Sequence, residues 1–140
     1  MFDAIRSVQD VRKAFLLIVA RESAYREIPF DSESVFQDII RTALCIATEG
    51  EFGTGDFPEL KKGIISLKQF IFTRRYGFME ANIHAAKAAY LSTLLRSNKA
   101  EITRYDISID MKDFRLENKR LYSLKKSNPE AFFYWYQIGV

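Results

Sequence analysis

The stretch from Pro58 to Asn98 constrains the fold most strongly, because it predicts two consecutive helices that meet at Gly77. The first has a broad apolar face at helical spacing. That face comprises Leu60, Ile64, Ile65, Leu67, Phe70, Ile71 and Phe72. The second has a face of small residues, Ala81, Ala85, Ala88 and Ala89. Because small side chains let two backbones approach closely, the second helix is predicted to lie at the centre of the fold.

Two further helices are predicted upstream, from Asp3 to about Tyr25 and from Asp31 to Gly50, by apolar residues at the same spacing. The chain has 140 residues, of which 48% are hydrophobic, enough for one domain with a substantial core. We therefore predict a mainly α fold, a bundle of about four main helices. Residues 1–140 form a single domain in which residues 101–140 are a basic, aromatic C-terminal extension.

The extension begins with a change of period. Apolar residues at Tyr105, Ile107, Ile109 and Met111 alternate with polar ones, which predicts a short strand-like arm over residues 102–111. Helical spacing returns from Met111 to Lys126, and a short helix is predicted at residues 131–138. The arm needs a pairing partner that the sequence does not identify.

One face of the predicted 111–126 helix is basic. At spacings of i, i+3, i+7, i+10 and i+14 it carries Lys112, Arg115, Lys119, Tyr122 and Lys126. Four cations and one aromatic ring on a single face favour contact with nucleic-acid phosphates and stacking on bases. An ordinary solvated helix face is the alternative interpretation, and both stay open.

Five consecutive aromatic residues follow, namely Phe132, Phe133, Tyr134, Trp135 and Tyr136. Because no single helix face can bury all five, some are predicted to contact a second chain. Complete burial in the chain's own core is the alternative. Charge also favours self-association: residues 1–60 carry 6 basic and 11 acidic side chains, and residues 61–140 carry 15 basic and 7 acidic ones. Such halves suit head-to-tail contacts.

The sequence contains few residues that could form a catalytic site. One His and one Cys, His84 and Cys45, provide neither a metal-ligand cluster nor a convincing nucleophile–base pair. No catalytic, metal-binding or cofactor-binding residue is predicted. The strongest enzymatic alternative places Asp106, Asp110 and Lys112 on one strand face, as in a small metal-dependent nuclease. A solvated strand face accounts for the same residues.

A local resemblance accompanies these patterns. Part of the chain resembles the small four-helix bundles around the 23S intervening-sequence protein. The segments concerned are Ile40-Arg-Thr-Ala-Leu44, Ile46-Ala-Thr-Glu-Gly50 and residues 58–67. Those proteins are basic, oligomeric and bind nucleic acid, so the resemblance implies a helical, self-associating chain with a nucleic-acid partner.

Together these observations predict a non-enzymatic assembly or adaptor subunit that self-associates or docks into a larger protein or nucleoprotein complex, for example in a virion. A nucleic-acid-binding accessory protein is the second hypothesis, and a nuclease the third. The longest apolar run, Ala14 to Ala20, is too short to span a bilayer, so no membrane partner is predicted and the expected location is cytoplasmic, or the virion of a phage.

Overall fold

The computed structural model describes residues 1–72 and 75–139. Six α-helices and one 3₁₀-helix, Phe2–Ala4, occur in this described part, and it contains no β-strand. The α-helices are α1 (Val8–Tyr25), α2 (Ser32–Ala47), α3 (Phe57–Leu67), α4 (Phe78–Arg96), α5 (Lys119–Ser127) and α6 (Pro129–Ile138). The prediction of a mainly α fold is confirmed.

Side-chain caps explain why most of these helices begin where they do. Ser7, Asp31 and Asp56 each accept a hydrogen bond from the backbone N–H three residues later, at the starts of α1, α2 and α3. Asn118 and Asn128 do the same for α5 and α6. These caps satisfy amide groups that have no partner inside the helix.

Helix α4 lies at the centre of the fold, as its small residues predict. It packs mainly between α2 and α6, and α1 crosses it more lightly. Ala81, Ala85 and Ala89 are buried, whereas Ala88 is exposed. Helices α2 and α4 run antiparallel, since Glu33 at the start of α2 forms an ion pair of 3.2 Å with Arg96 at the end of α4.

The glycine-rich loop after α2 folds back onto that helix instead of forming a free connector. The Thr54 amide donates to the Arg41 carbonyl at 3.2 Å, and the Phe52 amide donates to the Thr48 hydroxyl at 3.0 Å. Gly53 has a φ of +85°, and a Cβ there would lie 2.2 Å from the Arg41 carbonyl oxygen. Only glycine fits that close approach.

The prediction of a strand-like arm over residues 102–111 is wrong. This segment runs as an irregular loop with a turn at Ile107 and Ser108. The Asp106 carboxylate accepts the Ser108 amide at 2.8 Å, a local bond that competes with an extended ladder. Ile107 is consequently 90% exposed, so the apparent period of two does not correspond to one buried face.

Three predicted helix boundaries also change. Helix α3 ends at Leu67 rather than near Arg75, and Arg74 lies outside the described residues. Gly77 begins α4, with an extended φ of −161°, instead of ending the preceding helix. The helix predicted from Met111 starts only at Lys119, where Asn118 provides a cap.

Candidate interaction surfaces

The C-terminal aromatic run is buried inside the chain. Phe132, Phe133, Tyr134 and Trp135 are at most 1% exposed, and Tyr136 is half-buried. The expectation that some of them must contact a second chain is wrong for these first four, because several elements surround α6. Helix α4 covers one side, and the 101–118 loop supplies further apolar partners. These partners include Ile102, Tyr105, Ile109, Met111, Phe114 and Leu116.

The 101–118 loop is held against this aromatic core by two tyrosine hydroxyls. The Thr103 amide donates to Tyr90 Oη at 3.0 Å, and the Tyr105 amide donates to Tyr134 Oη at 3.1 Å. Burial raises the pKa of Tyr134 above its ordinary value, against the opposing effect of the Tyr105 amide. The hydroxyls therefore satisfy loop amides and keep the loop on the core.

A largely buried lysine ties the N-terminal segment to the same core. Lys87 Nζ lies 2.7 Å from Glu130 and 3.6 Å from Asp3, and its side chain is only 13% exposed. It also lies 5.5 Å from the centre of the Phe2 ring. Burial lowers the pKa of Lys87, but the hydrogen bond and charge of Glu130 outweigh it, so the pKa lies above its ordinary value.

The predicted basic stripe is not one helix face. Lys119, Tyr122 and Lys126 lie on α5, whereas Lys112 and Arg115 precede it in the loop. The Lys125 side chain donates to the carbonyls of Lys112 and Phe114, at 2.9 and 3.1 Å, and Arg115 donates to the same two carbonyls. The loop cations are thus brought beside α5 by tertiary contacts rather than by helical spacing.

The carboxylates of the nuclease hypothesis form turns in the loop. Asp106 accepts from Ser108, which lowers its pKa, first through the side-chain and then through the backbone hydrogen bond. Asp110 accepts the Lys112 amide at 2.9 Å. Within residues 1–72 and 75–139, no group of three or more His, Cys, Asp or Glu side chains could hold a metal ion. The shared strand face on which the hypothesis depended is not formed.

The α1 helix leaves much of its apolar surface uncovered. Leu17, Ile18 and Tyr25 are exposed, as are Ile28 and Phe30 in the connection to α2. We refer to these five residues as the hairpin surface. Ile18 and Tyr25 are seven residues apart and share one side of the helix. Val19, next to Ile18 in the sequence, points inward and is buried.

A second uncovered surface lies at the end of α3. Ile65, Leu67, Phe70 and Phe72 are exposed, with Phe70 at 72%, and we refer to them as the α3 surface. Only Ile64 in the described part of this region is a buried member of the apolar face that the sequence predicts. Helix α3 packs against the end of α2 and, through Phe57 and Ile64, against the start of α4, and these contacts leave the four residues exposed.

These two surfaces lie toward opposite ends of α2. The hairpin surface adjoins the start of α2, where Phe15 of α1 stacks on Phe36 with ring centres 4.6 Å apart. The α3 surface adjoins its end, where Ile46 packs in a cluster with Ile64 and Tyr76. The 16 residues of α2 span about 24 Å. One surface therefore does not cover the other within the chain.

The sequence contains a signal for the uncovered surfaces. Leu16, Leu17, Ile18 and Val19 are consecutive, and Phe70, Ile71 and Phe72 are consecutive as well. Consecutive positions point about 100° apart around a helix, so a one-sided contact cannot bury them all. The same argument was applied to the C-terminal aromatic run, where additional elements provide the cover.

None of the helices in the described residues is long and apolar enough to cross a membrane. Comparison with protein-family models, with curated proteins and with solved structures found no significant match. The local resemblance to the intervening-sequence bundles therefore has no support from these comparisons.

Proposed function

We propose that the chain is a non-enzymatic assembly or adaptor subunit, a bundle of four main helices, α1 to α4, that self-associates or docks into a larger complex. The hairpin and α3 surfaces are the observation that supports this function. Folded monomers rarely leave clustered apolar surface in water, and such clusters typically mark protein interfaces. The aromatic run at residues 132–136, first considered for this role, does not contribute because it is largely buried.

The magnitudes are sufficient for a stable contact. Fully burying one large apolar side chain contributes about 1.5–3 kcal/mol, and the two surfaces together hold nine such side chains. Association costs an estimated 4–15 kcal/mol in lost freedom of motion. The free energy gained by covering most of both surfaces therefore exceeds the lower part of this cost. Micromolar affinity requires a net gain of about 8 kcal/mol.

The test is the molar mass in solution over a range of protein concentrations. We expect size-exclusion chromatography with light scattering to give a mass well above 16.3 kDa at tens of micromolar, falling on dilution. Replacing Ile18 and Phe70 by Ser should lower the associated fraction. Ile107→Ser, at a still more exposed apolar position outside both surfaces, is the control. A monomer at all these concentrations would contradict self-association.

A second candidate function is nucleic-acid binding through the region around α5. Helix α5 carries Lys119, Arg120, Lys125 and Lys126 in nine residues and no acidic residue. The contacts of Lys125 with the loop carbonyls favour this candidate, because they bring Lys112 and Arg115 beside these cations. Tyr122 is partly exposed and available for stacking on a base.

Replacing Lys112, Arg115, Lys119 and Lys126 by Gln tests this candidate. Fluorescence anisotropy with a single-stranded oligonucleotide should show weaker binding and a flatter dependence of affinity on salt. A variant with four other exposed cations, Arg6, Lys13, Arg75 and Lys99, replaced by Gln is the matched control for lost positive charge. Equal effects of the two variants, or no binding by the parent at low salt, would remove the α5 region from consideration.

A further inference from the structure

We infer that the hairpin surface of one copy docks on the α3 surface of the next copy, in a head-to-tail contact. This inference rests on the proposed self-association and specifies which surfaces meet. The occupant of each apolar surface is thus a second copy of this chain.

Opposite charge at the borders of the two surfaces supports this pairing. Between Leu17 and Asp31 the chain has two arginines, Arg21 and Arg26, against three carboxylates, Glu22, Glu27 and Asp31, whereas Glu33 already pairs with Arg96. Residues 61–72 have three lysines, Lys61, Lys62 and Lys68, and no carboxylate. Complementary charges around an apolar centre direct partners into one orientation.

Pairing of like surfaces is disfavoured by the same charges. Two α3 surfaces in contact would bring two copies of this net positive segment together, even though Lys62 forms an ion pair of 2.6 Å with Glu59, and like charges at an interface cost several kcal/mol. The hairpin surface is less strongly charged because Arg26 lies 3.6 Å from Glu22. Only the mixed pairing both covers the apolar side chains and matches the charges.

The position of the surfaces determines what the contact builds. They lie toward opposite ends of α2, a helix about 24 Å long. A contact between different surfaces is heterologous, so each copy keeps one surface available after it has bound one neighbour. Repeating the contact produces a ring if the rotation closes and a filament if it does not.

Two complementary variants test the pairing. One disables the hairpin surface with Ile18→Ser and Phe30→Ser, and the other disables the α3 surface with Ile65→Ser and Phe70→Ser. All four positions are exposed, so we expect thermal unfolding at low concentration to match the parent. Each variant alone should be a monomer, whereas an equimolar mixture should form a dimer of about twice 16.3 kDa and nothing larger.

Charge reversal provides a second measurement. Glu22→Lys with Glu27→Lys, or Lys62→Glu with Lys68→Glu, should each weaken association at least about tenfold, and combining the two sets should restore it. Ile107→Ser should leave both experiments unchanged.

The outcomes separate the inference from the proposed function. A parent that stays monomeric throughout overturns self-association, and sedimentation of that monomer with anionic phosphatidylserine vesicles would assign the surfaces to a membrane instead. A parent that associates while either serine variant still self-associates alone overturns the head-to-tail pairing only. Failure of the equimolar mixture to form a dimer would also overturn the head-to-tail pairing.

Discussion

The aromatic core around α6 and the uncovered surfaces of α1 and α3 are all rich in large apolar residues, but the former is buried and the latter are exposed. Trp135 is completely buried, whereas Phe70 is exposed. Around α6, helix α4, helix α5 and the 101–118 loop supply apolar partners on several sides. Around α1 and α3, the contacts that the described chain supplies leave the nine residues of the two surfaces exposed.

The difference shows that an apolar segment requires other residues to cover it, but its composition does not indicate which part of the chain, or which second chain, provides them. Near α6 polar contacts also hold the covering segments in place. Lys87 forms an ion pair with Glu130, and the hydroxyls of Tyr90 and Tyr134 accept hydrogen bonds from the 101–118 loop. The hairpin and α3 surfaces have comparable apolar side chains without such a cover. A second copy is the covering element that we propose for them.

The largest expected effect compares Trp135 with Phe70. Trp135→Ala removes a fully buried ring and leaves a cavity, so we expect a loss of about 3–5 kcal/mol in the free energy of unfolding. Phe70→Ala, at a 72% exposed position, should change it by less than about 0.5 kcal/mol at concentrations where the chain is monomeric. Urea unfolding followed by circular dichroism measures both. Similar losses would show that the α3 surface is covered within the monomer.

The next effect compares two ion pairs of similar length but different burial. Lys87→Met should cost about 2 kcal/mol, because Glu130 loses a charged hydrogen bond of 2.7 Å and Asp3 loses its partner. Lys62→Met breaks a 2.6 Å pair with Glu59 whose lysine is 71% exposed, and it should cost less than about 0.5 kcal/mol. Equal costs in urea unfolding would argue against the role of Lys87 in closing the core.

A smaller loss is expected from Tyr134→Phe, at about 1–2 kcal/mol, because the Tyr105 amide loses its acceptor. Tyr25→Phe, on the hairpin surface, removes a hydroxyl from an exposed ring and should be close to neutral. Amide hydrogen exchange provides the sharper measurement. We expect faster exchange at Tyr105 in Tyr134→Phe, and unchanged exchange there would mean that the hydroxyl does not hold the loop.

The smallest expected effect is a loss of stability at alkaline pH. The pKa values of Lys87 and Tyr134 are both raised above the ordinary 10.5 and 10.0, so the folded chain holds these protons more tightly than the unfolded chain. Their contribution is complete below pH 10 and is lost as the pH rises through the folded pKa values. Urea unfolding between pH 7 and 11 should show this decline, and it should be shallower in the Lys87→Met, Tyr134→Phe double variant.

Much of the local structure follows from the sequence. Short-range groups decide it: Asp31 and Asp56 cap the helices that they precede, and the small residues of α4 allow close packing at the centre. These effects act over one or two turns, so a single sequence contains them. The candidate surfaces were only partly predictable, because the pattern placed Phe70 on an apolar face that was expected to pack in the core.

Tertiary structure alone decided which apolar residues are covered and which cations meet. Phe133 is covered by Tyr105 of the 101–118 loop, with ring centres 5.7 Å apart, although the two residues are distant in the sequence. Lys125 brings the loop carbonyls of Lys112 and Phe114 to α5 across more than ten residues of chain. Periodicity specifies the direction of a side chain from its own helix, whereas burial depends on what packs opposite it, and that partner is supplied by distant parts of the chain.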